Sequence, residues 1–310
     1  MTDLGVEIAG LRLEHPVLNG SGTFDALAAR RAFGDDLLAR FPFSGFVSKT
    51  ITPEPRAGNP PPRLYETPSG LINSIGLPNK GLAGFLAEDL PALAELPVPL
   101  IVSVMATSHD DFERVVSAVA ARSEVAALEL NVSCPNVESG LIVGASAQET
   151  ASLVEALRTV CPKPLIVKLT PNASDPGAIA AAAEEAGADA VSLINTIRAR
   201  ATDPQTFEPW LGAGSGGLSG PAVRAIALDQ VARVAARVSL PVIGMGGIES
   251  GRHAAEFLAA GATAVAVGTA SFRDPGAATR VLAELSEELR RYGFDSLSEL
   301  REVRAPSTST

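Results

Sequence analysis

Val125-Ala126-Ala127-Leu128-Glu129-Leu130 runs directly into Asn131-Val132-Ser133-Cys134-Pro135-Asn136. The first half reads as a buried strand. The second places a thiol between carboxamides at that strand's end. Asn can fix a polar heterocycle by donating and accepting hydrogen bonds, and Cys can accept a proton. A free Cys is more commonly a small buried filler. The motif alone leaves both readings open.

The same kind of strand recurs along the chain. Eight short apolar runs can be marked, at 16–22, 45–52, 99–106, 127–135, 164–171, 190–197, 241–248 and 264–270. Most are rich in Val, Ile and Leu without clean alternation, as expected of parallel strands covered on both faces. Helical periodicity fills the gaps at 110–122, 147–160, 175–186, 221–238, 251–259 and 274–292, and more weakly at 28–41 and 80–90. Ser108 stands before one helix, and Asp175-Pro176 sets a cap and an early proline before another. Gly187 and Gly261 follow two more.

Eight strands, each followed by a helix, predict an α/β fold, a (β/α)8 TIM barrel forming one domain over residues 1–310. A doubly wound sheet would call for a glycine-rich turn after its first strand. Only Asn19-Gly20-Ser21-Gly22 stands there, and Gly244-Met245-Gly246-Gly247 comes too late and lacks the later glycine. Two connections, 52–79 and 197–220, are long and rich in Gly and Pro. They follow strand C-termini, where a barrel keeps its active site, and predict lids or binding loops.

Composition narrows the function. The chain has 310 residues, 46% of them hydrophobic, and a net charge of −10, which disfavours nucleic acid or an anionic membrane surface. Its two cysteines are too few for an iron–sulfur cluster, and its three histidines have no metal-ligand spacing. Cys161 reads as structural. With no signal-peptide pattern and no apolar stretch of 18 residues, a cytoplasmic location is expected.

Collected at the strand ends are Ser21, Thr23, Lys49, Thr50, Ser103, Asn131, Lys168, Asn195, Thr196, Gly246, Gly247, Gly268 and Thr269. A lysine inside an apolar strand is costly unless an anion pairs with it. Lys49 and Lys168 therefore point to a negatively charged ligand. Glycine loops after the last two strands suit a phosphate. A flavin mononucleotide meets both demands, because its reduced ring is an anion at one edge.

These residues fall into stretches that resemble the class 1 dihydroorotate dehydrogenases, and among them the NAD-linked type B catalytic subunit. The stretches include Ser21-Gly22-Thr23-Phe24, Lys49-Thr50, Asn73-Ser74-Ile75-Gly76-Leu77, Asn131 to Asn136, Val167-Lys168-Leu169, Ile194-Asn195-Thr196, Gly216 to Pro221, Gly244 to Ile248 and Val267-Gly268-Thr269. They span nearly the whole chain.

The resemblance implies FMN held by Ser21, Lys49, Thr50, Ser103, Asn131, Lys168, Ile194, Gly220, Gly246, Gly247, Gly268 and Thr269. It implies dihydroorotate held by Lys49, Asn73, Ser74, Ile75, Gly76, Leu77, Asn131, Asn136, Asn195 and Thr196, with Cys134 as catalytic base. No metal is implied in this chain. A partner subunit carrying FAD and a [2Fe–2S] cluster would pass electrons to NAD, in a heterotetramer of two catalytic and two electron-transfer subunits. The alternatives are a fumarate-linked type A homodimer, a related dihydropyrimidine dehydrogenase, and an aldolase-like barrel using Lys168 for a Schiff base. Ser103 stands where type B proteins usually carry Asn, Asn19 where Ala is more usual, and Arg198-Ala199-Arg200 where a smaller loop start is found.

Overall fold

The computed structural model describes residues 3–133 and 143–302. Cys134 and Asn136 lie outside the described residues. A short antiparallel hairpin, β1 (Val6–Ile8) and β2 (Leu11–Leu13), opens the fold. The barrel strands are β3 (Val17–Asn19), β4 (Phe46–Val47), β7 (Leu100–Val104), β8 (Ala127–Asn131), β9 (Leu165–Lys168), β10 (Ala190–Leu193), β13 (Val242–Met245) and β14 (Ala264–Val267). Between them come β5 (Leu64–Thr67), β6 (Gly70–Asn73), β11 (Ile197–Ala199) and β12 (Gly216–Ser219).

All eight expected strands are present, each shorter than its apolar run. They form one parallel sheet in which every barrel strand from β4 onward pairs with the next and the last, β14, returns to β3, leaving a seam between β3 and β4. Their side chains are almost entirely buried, because helices cover the outside and neighbouring strands fill the inside.

The seam between β3 and β4 is closed by a side chain. The Asn19 amide donates to Val47 O (2.8 Å) and its carbonyl accepts from Val47 N (2.8 Å), so the carboxamide imitates one rung of a ladder. Ser44 N donates to Val17 O at 3.1 Å beside it. Asn19 is wholly buried. Asn19→Ala would leave two buried backbone groups of Val47 unpaired and should destabilise the fold by about 2–4 kcal/mol. Urea denaturation checks this, and a loss under about 1 kcal/mol would deny the suture any importance.

Helix starts follow the sequence closely. Ser108, Asp175 and Ser250 accept from the backbone N–H three residues on, with Pro176 in the first turn of its helix. Gly187 and Gly261 take φ of 96° and 108° just past their helices. Other expected helices are divided or shifted. The run at 28–41 becomes Ala26–Phe33 and Asp36–Ala39, parted at Gly34. The run at 274–292 starts late, as Ala277–Tyr292, and an unexpected short helix, Ala270–Arg273, precedes it across Pro275. The run at 80–90 opens into a π turn, Phe85–Asp89, where Pro91 cannot supply the next N–H of the ladder.

The two long connections are more ordered than the sequence suggests. They build a shared antiparallel sheet in the order β11–β12–β6–β5, in which Gly217 faces Asn73 and Ser219 faces Leu71. Ile72, Ala201 and Leu211 give it a small core of its own. Among the described residues no helix is long and apolar enough to cross a membrane.

Candidate active site

At the mouth of the barrel Asn131 and Lys168 stand opposite each other on β8 and β9. Both are buried. Residues two apart on a strand share a face, so Glu129 lies beneath Asn131 on the inward side. Its Oε1 is 3.5 Å from Lys168 Nζ, and its Oε2 accepts from the Ser192 hydroxyl at 3.0 Å. Lys168 thus has an internal counter-ion that the sequence reading did not count. The expectation that this lysine needs a ligand anion for its burial is corrected accordingly. Lys49 differs from expectation too. It sits past the end of β4 and is exposed. Partial desolvation still lowers its ammonium pKa below the ordinary lysine value, with the nearby Asp25 acting the other way.

A chain of hydroxyls runs down beside it. Ser21 Oγ donates to Ser48 O (2.8 Å) and lies 3.1 Å from Thr50 Oγ1, which is 2.9 Å from Ser103 Oγ. Ser103 is fully buried, with its hydroxyl engaged by Thr50 and its N–H by Ser48 Oγ. Its reach toward a ligand is therefore through Thr50.

Across the mouth is a cavity of ≈ 230 Å³, lined by Ser133, Asn195, Thr196 and the β12 glycines together with Thr170, Asn172 and Arg198. Asn195 donates to Ser133 Oγ at 2.8 Å and accepts from Thr196 N at 2.8 Å, which fixes its amide. Asn172 ties the wall together, donating to Thr196 O (3.1 Å) and accepting from Arg198 N (3.0 Å). Thr170, Asn172 and Arg198 line the cavity too but were not among the expected site residues, Arg198 having stood out only as a departure from the family pattern. The signal for the first two was the polar Thr170-Pro171-Asn172 immediately after a barrel strand.

The inserted sheet brings the 73–77 segment over this region. Asn73 donates to Gly217 O at 3.2 Å. Ser74 Oγ accepts from Asn59 Nδ2 at 2.9 Å, and Asn59 N donates to Ile75 O at 3.0 Å. Gly76 must be glycine, since its φ is 75° and an added Cβ would strike Asn59.

The loops after β12, β13 and β14 meet at glycines. Gly220, Gly246 and Gly247 have φ of 89°, 130° and 72°. An added Cβ on Gly247 would lie 2.7 Å from Gly220 O, and Thr269 Oγ1 is 2.9 Å from Ser219 Oγ. Ile194 is buried against Gly246. Such a bare backbone cradle fits a phosphate. With Lys168 and the hydroxyl chain nearby, the residues fit FMN.

His253 lies behind this cradle, its Nε2 accepting from Arg224, which can only donate. Burial, and then the Arg224 charge, lower its pKa below the ordinary 6.5, with Glu256, Glu249 and Glu284 opposing. The unfolded chain therefore takes up this proton before the folded one. Its contribution is complete above about pH 6.5 and is lost as pH falls below that. Thermal melts should show His253→Gln flattening the acid-side decline, and identical profiles would exclude it.

The barrel, the mouth-side polar cluster and the glycine cradle define a (β/α)8 barrel enzyme with its site at the C-terminal ends of the strands. The dihydroorotate dehydrogenase family model matches residues 3–289. The chain is 46% identical to the dihydroorotate dehydrogenase B (NAD(+)) catalytic subunit of Desulforudis audaxviator, over 95% of each chain. It is 45% identical to a putative dihydroorotate dehydrogenase A (fumarate) of Solibacter usitatus, over 96% of this chain and 97% of that one. It is 41% identical to the B-type catalytic subunit of Listeria monocytogenes, over 98% and 99%. The chain belongs to the dihydroorotate dehydrogenase family.

Proposed function

We propose that this protein is the FMN-binding catalytic subunit of an NAD-linked dihydroorotate dehydrogenase, oxidising (S)-dihydroorotate to orotate in pyrimidine biosynthesis. The observation that carries the reading is the convergence of Asn131, Lys168 and Asn195 at one barrel mouth beside the glycine cradle. FMN, when bound, supplies the hydride acceptor.

The chain's own residues do the rest. Gly220, Gly246, Gly247, Gly268 and Thr269 hold the phosphate, and Ser21, Thr50, Asn131, Lys168 and Ile194 hold the ring system, with Ser103 behind Thr50. Lys49 attracts the substrate carboxylate at the mouth. The Asn73–Leu77 segment, Asn131, Asn136, Asn195 and Thr196 orient the substrate ring, so that less motion is frozen at the moment of reaction. Cys134 removes the proton from C5 as the C6 hydride departs. Lys168 offsets the negative charge that arrives with the electrons.

A partner subunit with FAD and a [2Fe–2S] cluster carries those electrons to NAD, in a heterotetramer of two subunits of each kind. Gly244-Met245-Gly246-Gly247 and Leu218-Ser219-Gly220-Pro221 favour this type. A fumarate-linked homodimer is the second reading, favoured by the A-type name of the Solibacter usitatus relative.

The test is an absorbance spectrum of purified protein before and after anaerobic dihydroorotate. Yellow colour that bleaches is expected. Colourless protein that binds no added FMN would end the proposal. Rapid reoxidation of the isolated chain by fumarate would replace type B with type A.

A further inference from the structure

We propose that Glu129 lowers the reduction potential of bound FMN by cancelling, from beneath, the charge that Lys168 presents to it. The inference deepens the FMN reading and rests on it.

Glu129 is an anomaly in its strand. It sits in the middle of an apolar run and is only 2% exposed. Its Oε1 has no hydrogen-bond partner among the described residues. A buried carboxylate in that state is expensive and does not improve packing. Its partners explain where its charge acts. Lys168 Nζ is 3.5 Å from Oε1, and the Ser192 hydroxyl is fixed on Oε2 at 3.0 Å. Glu129 is the only salt-bridge partner of Lys168 among the described residues. The ammonium thus has carboxylate on one side and the barrel mouth on the other.

Electrostatics then sets the sign. The oxidised ring is neutral and the reduced ring is an anion at one edge. A lone buried ammonium would favour the reduced form strongly, because screening there is weak. A carboxylate 3.5 Å behind the ammonium subtracts from that preference without removing the cation. The pair keeps Lys168 available to the reacting system yet prevents the flavin from holding its electrons too tightly. That suits a subunit which must pass them on. Glu129 is a positioning residue here, acting on the flavin through Lys168.

The experiment measures the FMN midpoint potential of the holoenzyme by equilibration with redox dyes. Three proteins are compared, namely wild type, Glu129→Gln and Ser192→Ala. Gln keeps the shape and the Ser192 hydrogen bond but not the charge. It should favour reduced over oxidised FMN at least about tenfold more than wild type, an upward shift of about 30 mV. Ser192→Ala keeps the charge and strips the hydroxyl that shares it, so it should move about threefold the other way, about 15 mV. An unchanged or lower potential in Glu129→Gln overturns the proposal. If that variant retains no FMN, Ser192→Ala decides alone, and a shift upward or none overturns it. Wild-type protein that neither carries nor binds FMN would instead remove the cofactor reading itself. Flavin present with a stationary potential in Glu129→Gln removes only the role of Glu129.

Discussion

Cys134→Ala should retain FMN yet be reduced by dihydroorotate at least about 100-fold more slowly than wild type, the loss expected for a missing general base. The carbon acid at C5 of the substrate is weak, and hydride departure needs its proton removed in the same region of space. A thiol with an ordinary pKa near 8.5 is mostly protonated at neutral pH. The wild-type reduction rate should therefore climb with pH toward that value, and the climb should be absent in the Ala variant. Anaerobic stopped-flow at the flavin absorbance band reads both. Reduction at the wild-type rate in Cys134→Ala would assign the base elsewhere. Binding of FMN and orotate, which needs no proton acceptor, should be unchanged.

Lys168→Met carries the largest expected cost in stability. It strands Glu129 as an unpaired charge in the barrel interior, and breaking a buried pair from one side typically costs about 3–5 kcal/mol. The double variant Lys168→Met with Glu129→Gln removes both charges and keeps the Ser192 hydrogen-bond acceptor. It should recover a substantial part of that loss, since two neutral side chains in place of a buried pair are far better tolerated. Urea midpoints of the apoprotein supply the comparison. Equal losses in single and double variants would mean that the two side chains are not energetically coupled, contrary to their 3.5 Å separation.

Several candidate site residues were legible in sequence because they sit where a barrel strand ends. Asn131, Lys168, Ser21 and Thr50 follow or close apolar runs, and the parallel fold gathers such ends at one mouth. Gly246 and Gly247 were legible for the same reason, and their positive φ explains why glycine is needed. Glu129 was not legible. It alternates with Leu128 and Leu130 in a run that reads as uniformly buried, and its partner lies on the next strand. Asn19 looked only like a departure from the family pattern. Its purpose needs Val47, and that pairing exists only once the barrel closes. The four-stranded roof was hidden for another reason. Its strands are 3 or 4 residues long, β6 and β12 carry glycine, and Asn73 meets Gly217 from 144 residues away.

The alternation of strand and helix, the helix starts and the polar residues at strand ends can all be read from the order of the residues. Each of these depends on neighbours within a few positions, through periodicity, capping and burial. Tertiary structure alone decided which charges meet, how the first and second barrel strands are sewn together, and that two distant insertions share one sheet. Those outcomes depend on side chains brought together by closure of the barrel, and no local pattern records the distance between residues that only the fold makes neighbours.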